Sequence, residues 1–151
     1  MGKPSNLTNE LLGYPADARL LIVNADDFGM CHSVNEAVMR AFTARTLRSA
    51  TVMVPCPWGL HALRFLAAQP EIPFGLHLTV VSDWAAYRWG PLCPRERVSS
   101  LIREDGSFYN FAQMPEFLAH VDLNELKMEF RAQIETVLAA GLSPTHLDWH
   151  C

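Results

Sequence analysis

Residues 19–30 read RLLIVNADDFGM, an apolar run that ends in two adjacent aspartates. A continuous run of branched apolar residues is typical of a strand buried on both faces, as in a parallel sheet. We therefore predict the first strand at 19–24, followed by a polar loop that carries Asp26 and Asp27. The rest of the chain repeats this order of apolar strand and polar loop.

Apolar strands and helical stripes alternate downstream of this segment. Further strands are predicted at 50–54, 74–81 and 145–150. A capping-box pattern at Ser33 and Glu36 predicts a helix after the first loop, and a second helix is predicted to end near Pro70. Strands that alternate with helices predict an α/β domain with a parallel sheet.

A third helix is predicted at 123–140, with its cap at Asp122 and Glu125. Its buried face is predicted to consist of Leu126, Phe130, Ile134, Val137 and Leu138. Residues 82–121 are rich in Pro, Gly and aromatic side chains and are predicted to be irregular, and residues 1–18 to be a flexible leader.

The composition excludes several classes of protein. The chain has 151 residues, enough for one domain, and a net charge of −4, the opposite of the basic surface that nucleic-acid binding needs. No apolar run approaches the ~20 residues of a membrane helix. Four cysteines without a close pair favour reduced thiols and a cytoplasmic location. We therefore expect neither a nucleic-acid nor a membrane partner, and no G-x-G-x-x-G or Walker motif supports nucleotide binding.

Polar side chains gather at three predicted strand ends, where the chemistry of parallel sheets collects. The candidates are Asp26 and Asp27 after the first strand, His77 in the third, and His146, Asp148 and His150 on one face of the fourth. One aspartate and two histidines can hold a divalent ion and leave positions open for water and substrate. The remaining carboxylate can then take a proton from that water. These donors suit Zn²⁺, Mn²⁺ or Fe²⁺, and Mg²⁺ is less expected beside two imidazoles.

Each cluster also has a plainer explanation. Asp26 or Asp27 can cap the following turn, because aspartate is common in turns. His77, between two leucines, can be a hydrogen-bonded core residue. The H-x-D-x-H strand fits this explanation less well, because so many buried polar groups would each need a partner.

The segments LLIVNADDFGM, SATVMV, FGLHLTV and SPTHLDWH follow one another from residue 20 almost to the last residue. In order and spacing the chain resembles the YdjC-like (ChbG-type) carbohydrate deacetylase family. The resemblance implies a partial, distorted β/α barrel with parallel strands. It also implies a hydrolase that removes N-acetyl groups from chitooligosaccharides or related amide-bearing sugars, with one divalent metal ion, Mg²⁺ or Zn²⁺, as cofactor.

Motif by motif, the resemblance implies a role for each candidate. Asp27, His77 and His150 would be the metal ligands, and Asp26 the catalytic base. His146 and Asp148 would orient a ligand or polarise the acetyl group.

The irregular segment adds candidates for contact with the substrate. Trp84, Tyr87 and Trp89 can stack on sugar rings, although aromatic residues in a proline-rich loop more often form a local packing cluster.

The chain departs from the family pattern in two respects. Cys151 follows His150 where the family motif usually continues with further histidines, and about half of the barrel is absent. We therefore expect 19–151 to be the N-terminal portion of a truncated barrel, whose open last strand a second copy could cover. The alternative function is a non-catalytic α/β module, or an inactive barrel half, that binds a sugar or a partner subunit.

Overall fold

The computed structural model describes residues 7–150 and contains two sheets and five α-helices in that range. In chain order the elements are α1 (Leu7–Leu11), β1 (Asn24–Phe28), α2 (His32–Thr43), β2 (Ser49–Val52), α3 (Gly59–Ala67), β3 (Phe74–Leu78), β4 (Val81–Ser82), β5 (Tyr109–Asn110), α4 (Met114–His120), α5 (Leu123–Ala139) and β6 (His146–Trp149). Short 3₁₀ turns lie at Arg95–Arg97, Ser99–Leu101 and Phe111–Gln113.

The main sheet has the strand order β1-β2-β3-β6, and every neighbouring pair is parallel. The sequence prediction of an α/β domain with a parallel sheet is therefore confirmed. All four strands end at the same edge, so the loops that follow them meet there. Closure into a barrel stays a prediction.

The two faces of this sheet differ in chemistry. One face carries Ala50, Val52, Phe74 and Leu76, which pack with α2, α3 and α5 into a continuous apolar core. The opposite face carries polar or small side chains at the alternating positions, among them Thr51, Gly75, His77 and Asp148. The helices therefore pack on the apolar face, and the polar face carries the candidate functional groups.

The first strand begins later than predicted. The structure places β1 at Asn24–Phe28, so Asp26 and Asp27 lie within the strand rather than after it. Pairing with β2 begins at Asn24, opposite Ser49, and the side chains of Leu20–Val23 are between 41% and 83% exposed. Apolar composition alone does not make a strand, because a strand also needs a neighbour to pair with.

The remaining strands are shorter than predicted. β2 covers part of 50–54, and β6 lies within 145–150. The third predicted strand, 74–81, divides at Thr79 and Val80 into β3 and β4.

The predicted capping box of α2 is wrong. The helix begins at His32 after Cys31, whose side chain makes no capping hydrogen bond, and Ser33 is already inside the first turn. Asn35 is fully buried instead, and its side chain accepts from Gly29 N and donates to the carbonyl of Trp58. This amide therefore joins the loops that follow β1 and β2.

Helix α5 has the predicted cap, and its buried face agrees with the predicted one in part. The Asp122 side chain accepts hydrogen bonds from the backbone of Asn124 and Glu125, as expected. Val137 is fully buried as predicted, and three further predicted residues are partly buried against the apolar clusters: Leu126, Phe130 and Ile134. Leu138 is instead 54% exposed, and Glu129 and Gln133 are fully buried. Burial of Glu129 is tolerated because its carboxylate accepts from the backbone N–H groups of residues 92 and 93 and from Gln133.

Residues 82–121 are more ordered than predicted. β4 and β5 form a parallel pair, and their side chains join a second apolar cluster with Trp89, Val98 and Phe108. Met30 and Met53, from the loops after β1 and β2, also belong to this cluster. The segment therefore covers the carboxyl end of the main sheet.

The predicted leader includes structure in its described part. Residues 1–6 lie outside the described residues, and α1 follows them. The Asn9 side chain is buried and donates to the carbonyl of Ala18 at 2.7 Å. In residues 7–150 we find no helix with the length and apolarity needed to cross a membrane. Cys31, Cys56 and Cys93 are free thiols, and Cys151 lies beyond the described range.

Candidate metal centre

Three side chains converge at the carboxyl edge of the sheet: Asp27 in β1, His77 in β3 and His150 directly after β6. Asp27 Oδ1 lies 3.4 Å from His77 Nε2 and 3.2 Å from His150 Nδ1. The three donor atoms all lie within 4.8 Å of one another. In a flat sheet, β1 and β6 would be about 14 Å apart. The contact therefore requires a curved sheet whose polar face is concave.

A β-bulge aims both aspartates at this face. In a regular strand, neighbouring side chains point to opposite sides, so Asp26 and Asp27 would separate. The register of β1 against β2 shifts between Ala25 and Phe28, and Asp27 has a φ of 61°. The left-handed conformation is uncommon outside glycine, although aspartate adopts it more readily than most residues. The bulge lets the Asp27 carboxylate reach the two histidines while the Asp26 side chain stays on the polar face of the sheet.

Each histidine is held by a second carboxylate. His77 Nδ1 donates to Asp148 Oδ1 at 2.7 Å, and His150 Nε2 donates to Asp83 Oδ1 at 2.6 Å. The second nitrogen of each ring therefore faces Asp27. A metal-binding histidine typically donates its other nitrogen to such a carboxylate, which fixes the tautomer and the ring orientation.

The arrangement fits a divalent cation. Asp27 Oδ1 is buried yet accepts no well-aligned hydrogen bond from the described residues, although it has two imidazoles beside it. Tetrahedral Zn²⁺ with bonds of about 2.0–2.1 Å separates neighbouring ligand atoms by roughly 3.4 Å. The 3.2 and 3.4 Å separations match that spacing. A carboxylate and two neutral imidazoles are also common donors for such an ion.

Without an ion, the three groups stabilise one another as charges. Contact with His150, and then with His77, holds the pKa of Asp27 well below its usual range. Burial lowers the pKa of His77, but Asp27 and Asp148 outweigh burial, so the net pKa is raised. His150 behaves in the same way, with Asp27 and Asp83 as the carboxylates that outweigh burial. A cation that binds here would therefore take the place of protons on His77 and His150.

Asp26 lies beside the three ligand side chains but does not contact them directly. Its Oδ1 accepts from Asn24 Nδ2 at 2.7 Å and from Thr51 Oγ1 at 3.3 Å. Thr51 is fully buried, and its Oγ1 lies 3.5 Å from His77 Nδ1. Asp26 is thus a separate, exposed carboxylate, and the Thr51 side chain lies between it and His77.

The two predicted positioning residues on β6 have different surroundings. Asp148 contacts His77 directly, as described above. His146 lies on the same face as Asp148, two residues earlier on β6, and it pairs with Gly75 of β3. Its Nδ1 is 2.8 Å from Thr145 Oγ1. A Cβ at Gly75 would come within 2.6 Å of the His146 ring, so the glycine makes room for the imidazole.

The three aromatic candidates differ in burial and in their contacts. Trp89 is only 4% exposed and packs between Tyr87 and His150, with ring-centre distances of 5.9 and 6.3 Å. Its ring is therefore not available for stacking on a sugar, and here the packing explanation is correct. Tyr87 is partly buried, and its hydroxyl donates to Met30 O. Trp84 is 58% exposed.

The sequence interpretation missed Asp83 and Thr51. Asp83 follows the short strand β4, in a segment predicted to be irregular, and Thr51 lies within an otherwise apolar strand. A polar residue in the middle of a buried strand was the available signal for Thr51. Asp83 had no comparable signal, because its contact with His150 joins residues 67 positions apart.

Fold and donor set together define a class of protein: an α/β protein with a candidate metal centre of one carboxylate and two imidazoles at the carboxyl ends of parallel strands. The family model described as "YdjC-like protein" matches residues 20–151. The chain belongs to the YdjC-like family.

Two relatives of this chain are named as deacetylases of sugars. A carbohydrate deacetylase of Thermoanaerobacter pseudethanolicus is 33% identical over 132 residues, which is 87% of this chain and 50% of the relative. A chitooligosaccharide deacetylase of Yersinia enterocolitica is 31% identical over 133 residues, which is 87% of this chain and 49% of the relative. The chain thus spans about half the length of the curated relatives it matches.

One solved structure has the same fold over most of this chain. It is described as a cellobiose-phosphate cleavage protein of Enterococcus faecalis V583, is 32% identical, and superposes with a TM-score of 0.74. The match covers 85% of this chain and 47% of that one. A crystal structure of a related protein therefore contains the same fold over most of this chain.

Proposed function

We propose that this chain carries the metal centre of a hydrolase that removes an N-acetyl group from an amino sugar or oligosaccharide. The convergence of Asp27, His77 and His150 carries the proposal. The family membership and the deacetylase names of two relatives support the reaction class. The substrate is inferred from those names, whereas the chemistry is argued from the residues below.

A divalent ion bound here would polarise the amide carbonyl and lower the pKa of a water molecule toward neutrality. Asp27, His77 and His150 would hold that ion, and Asp148 and Asp83 would hold the two imidazoles. The cofactor we expect is one Mg²⁺ or Zn²⁺ ion, and the two imidazoles favour Zn²⁺.

Asp26 is proposed as the base that takes the proton of the attacking water. Its Oδ1 is fixed by Asn24 and Thr51, while Oδ2 accepts no hydrogen bond from the described residues. The side chain is exposed, so water and substrate can reach it. A fixed carboxylate with one free oxygen next to the metal centre has the properties of a general base.

The test combines metal binding with acetate release from a chitooligosaccharide. Zn²⁺ affinity is measured by calorimetry, and acetate is measured with the chain alone and with the C-terminal half of the Thermoanaerobacter relative added. We expect one ion per chain, and acetate in at least one of the two assays. The Asp26→Asn variant should keep the ion and lose acetate release. A chain that binds no ion would contradict the proposal.

The alternative function is a non-catalytic module that binds a sugar or a partner subunit. The observation in its favour is the exposed apolar surface at the open edge of β6, where Leu147 and Trp149 are 53% and 76% exposed. Bound metal and bound sugar without acetate release in either assay would favour the module. A homo-oligomer that covers this edge and a cytoplasmic location are further proposals.

Trp84 is proposed to contact the sugar. Its side chain is exposed, and it stands one residue after Asp83, which contacts His150. Replacement by alanine should weaken sugar binding and leave metal affinity unchanged, which titration of the metal-loaded chain with a chitooligosaccharide would measure.

A further inference from the structure

Asp83 makes the shortest contact that the described residues make with a candidate ligand. Its Oδ1 lies 2.6 Å from His150 Nε2, and the two side chains are 21% and 5% exposed. A carboxylate can only accept, so Nε2 carries the proton in this contact. Nδ1 of a neutral His150 then has the free lone pair, and this is the nitrogen that faces Asp27 at 3.2 Å.

His77 has the opposite arrangement. Its Nδ1 donates to Asp148, and its Nε2 faces Asp27. The two candidate ligands would therefore use different nitrogens, and in each case a carboxylate on the far side of the ring determines which one. Asp148 lies within the THLDWH motif, whereas Asp83 comes from a different part of the chain.

The segment that carries Asp83 is fixed at several points. Ser82 Oγ donates to Trp89 O at 3.2 Å and accepts from Trp89 N at 3.3 Å. Between them, Trp84 and Tyr87 form an antiparallel bridge. We name residues 82–89 the Asp83 hairpin. Its base is thus closed by hydrogen bonds within the hairpin itself.

The Asp83 hairpin is also attached to the site from outside. The Tyr87 hydroxyl donates to Met30 O at 2.7 Å, three residues beyond Asp27. The buried Trp89 ring packs against His150, with 6.3 Å between the ring centres. The hairpin therefore touches the chain near one candidate ligand and the side chain of another, which holds Asp83 at a constant position relative to both.

We propose that Asp83 is a positioning residue that selects Nδ1 of His150 as a metal ligand. The proposal rests on the function proposed above and adds a residue and a specific nitrogen to it. Asp83 does not touch the ion; it holds the Nε2 proton and the ring, so that the Nδ1 lone pair points to the centre. A second carboxylate on this ring also makes the imidazole a stronger donor.

Metal affinity is the first readout. Loss of such a partner typically weakens metal binding about 10- to 100-fold, and we expect a loss in this range for Asp83→Ala, measured by Zn²⁺ calorimetry. Asp83→Asn keeps an oxygen that accepts from Nε2 and should lose less. Glu104→Ala removes an exposed carboxylate for which the structure gives no contact with the site, and it should bind Zn²⁺ like the unchanged chain.

The nitrogen that binds the ion is the second readout, and a purely structural role for Asp83 would not predict it. Two-bond ¹H–¹⁵N spectra of the Zn²⁺-loaded chain distinguish the two tautomers of each histidine. We expect ligation through Nδ1 at His150 and through Nε2 at His77. Asp83→Asn should preserve this pattern, while Asp83→Ala should lose the defined tautomer at His150.

The outcomes separate the two proposals. An unchanged chain that binds no Zn²⁺ overturns the proposed metal centre and this inference with it. If the unchanged chain binds Zn²⁺ but Asp83→Ala binds it equally well, or if His150 binds through Nε2, the inference is overturned and the metal centre stands. The spectrum of the unchanged chain decides the matter even if Asp83→Ala does not fold.

Discussion

The carboxyl ends of the strands and the open edge of β6 are built in opposite ways. At the strand ends, every candidate ligand has at least one charged partner, and both imidazoles are buried. At the open edge, Leu147 and Trp149 are exposed, and a groove of about 420 Å³ separates them from Phe130 of α5. The comparison shows that the three candidate ligands find their charged partners within the described residues, whereas the apolar side chains of β6 remain exposed there.

Two paired leucines on β3 and β6 show the difference in burial between the core and the open edge. Leu76 and Leu147 occupy paired positions, yet Leu76 is fully buried and Leu147 is 53% exposed. The same side chain should therefore contribute very differently to stability on the two strands.

The largest expected effect is on metal binding. Asp27→Ala removes the one donor that faces both imidazoles and leaves two histidines without their shared carboxylate. We expect Zn²⁺ affinity to fall by more than the roughly 100-fold that the loss of an outer partner can cost. Calorimetry measures this, with Asp26→Asn as the matched control at the next residue. Full occupancy in the Asp27→Ala protein would exclude Asp27 as a ligand.

The next effect compares the paired leucines. Leu76→Ala should lower the free energy of unfolding by about 2–5 kcal/mol, because it leaves a cavity in the core. Leu147→Ala should cost less than about 1 kcal/mol, because its side chain is already largely in water. Urea denaturation of the two variants at one pH measures both. Equal losses would mean that the β6 edge is covered in solution.

Gly75→Ala is expected to have an intermediate effect. The added methyl would come within 2.6 Å of the His146 ring and 2.7 Å of its carbonyl oxygen, so β6 would have to shift. Overpacking of this kind costs about 1–3 kcal/mol. The shift should also weaken Zn²⁺ binding, because Asp148 lies on the same strand as His146 and His150 follows that strand directly. A variant with unchanged stability and affinity would show that the strand adapts freely.

The dependence of stability on pH should reverse when metal is added. Without metal, the raised pKa values of His77 and His150 give stability that is complete below their ordinary value of 6.5 and is lost as pH rises through the raised values. The lowered pKa of Asp27 gives stability above 3.8 that is lost at lower pH. Metal binding needs neutral imidazoles, so its contribution grows as pH rises.

Thermal melts between pH 5 and 8, with a chelator or with Zn²⁺, test this reversal. The melting temperature of the metal-free chain should fall above pH 6.5, and the increase caused by Zn²⁺ should grow over the same range. An increase that does not depend on pH would show that the ion does not displace protons from these histidines.

Sequence patterns predicted the features that depend on local order. The parallel α/β architecture and the α5 cap at Asp122 follow from periodicity, capping and strand order. Three stretches far apart in sequence were correctly expected to meet, because parallel strands end at one edge.

Other features depend on contacts that no local pattern encodes. The bulge at Asp27 is a change of register against β2, and the buried Glu129 is stable only because loop N–H groups point at it. Asp83 reaches His150 only through the path of the 82–121 segment. Leu138 was predicted to be buried but is 54% exposed, because periodicity alone does not show which part of an apolar stripe the sheet contacts.

The most direct test is a crystal structure of the chain grown with Zn²⁺, with anomalous data collected at the zinc edge. The account predicts one strong anomalous peak about 2.0–2.3 Å from Asp27 Oδ1, His77 Nε2 and His150 Nδ1. Asp26 should lie beside it without binding it. A peak held by other residues, or three side chains that point away from a common centre in a zinc-free map, would contradict the central claim.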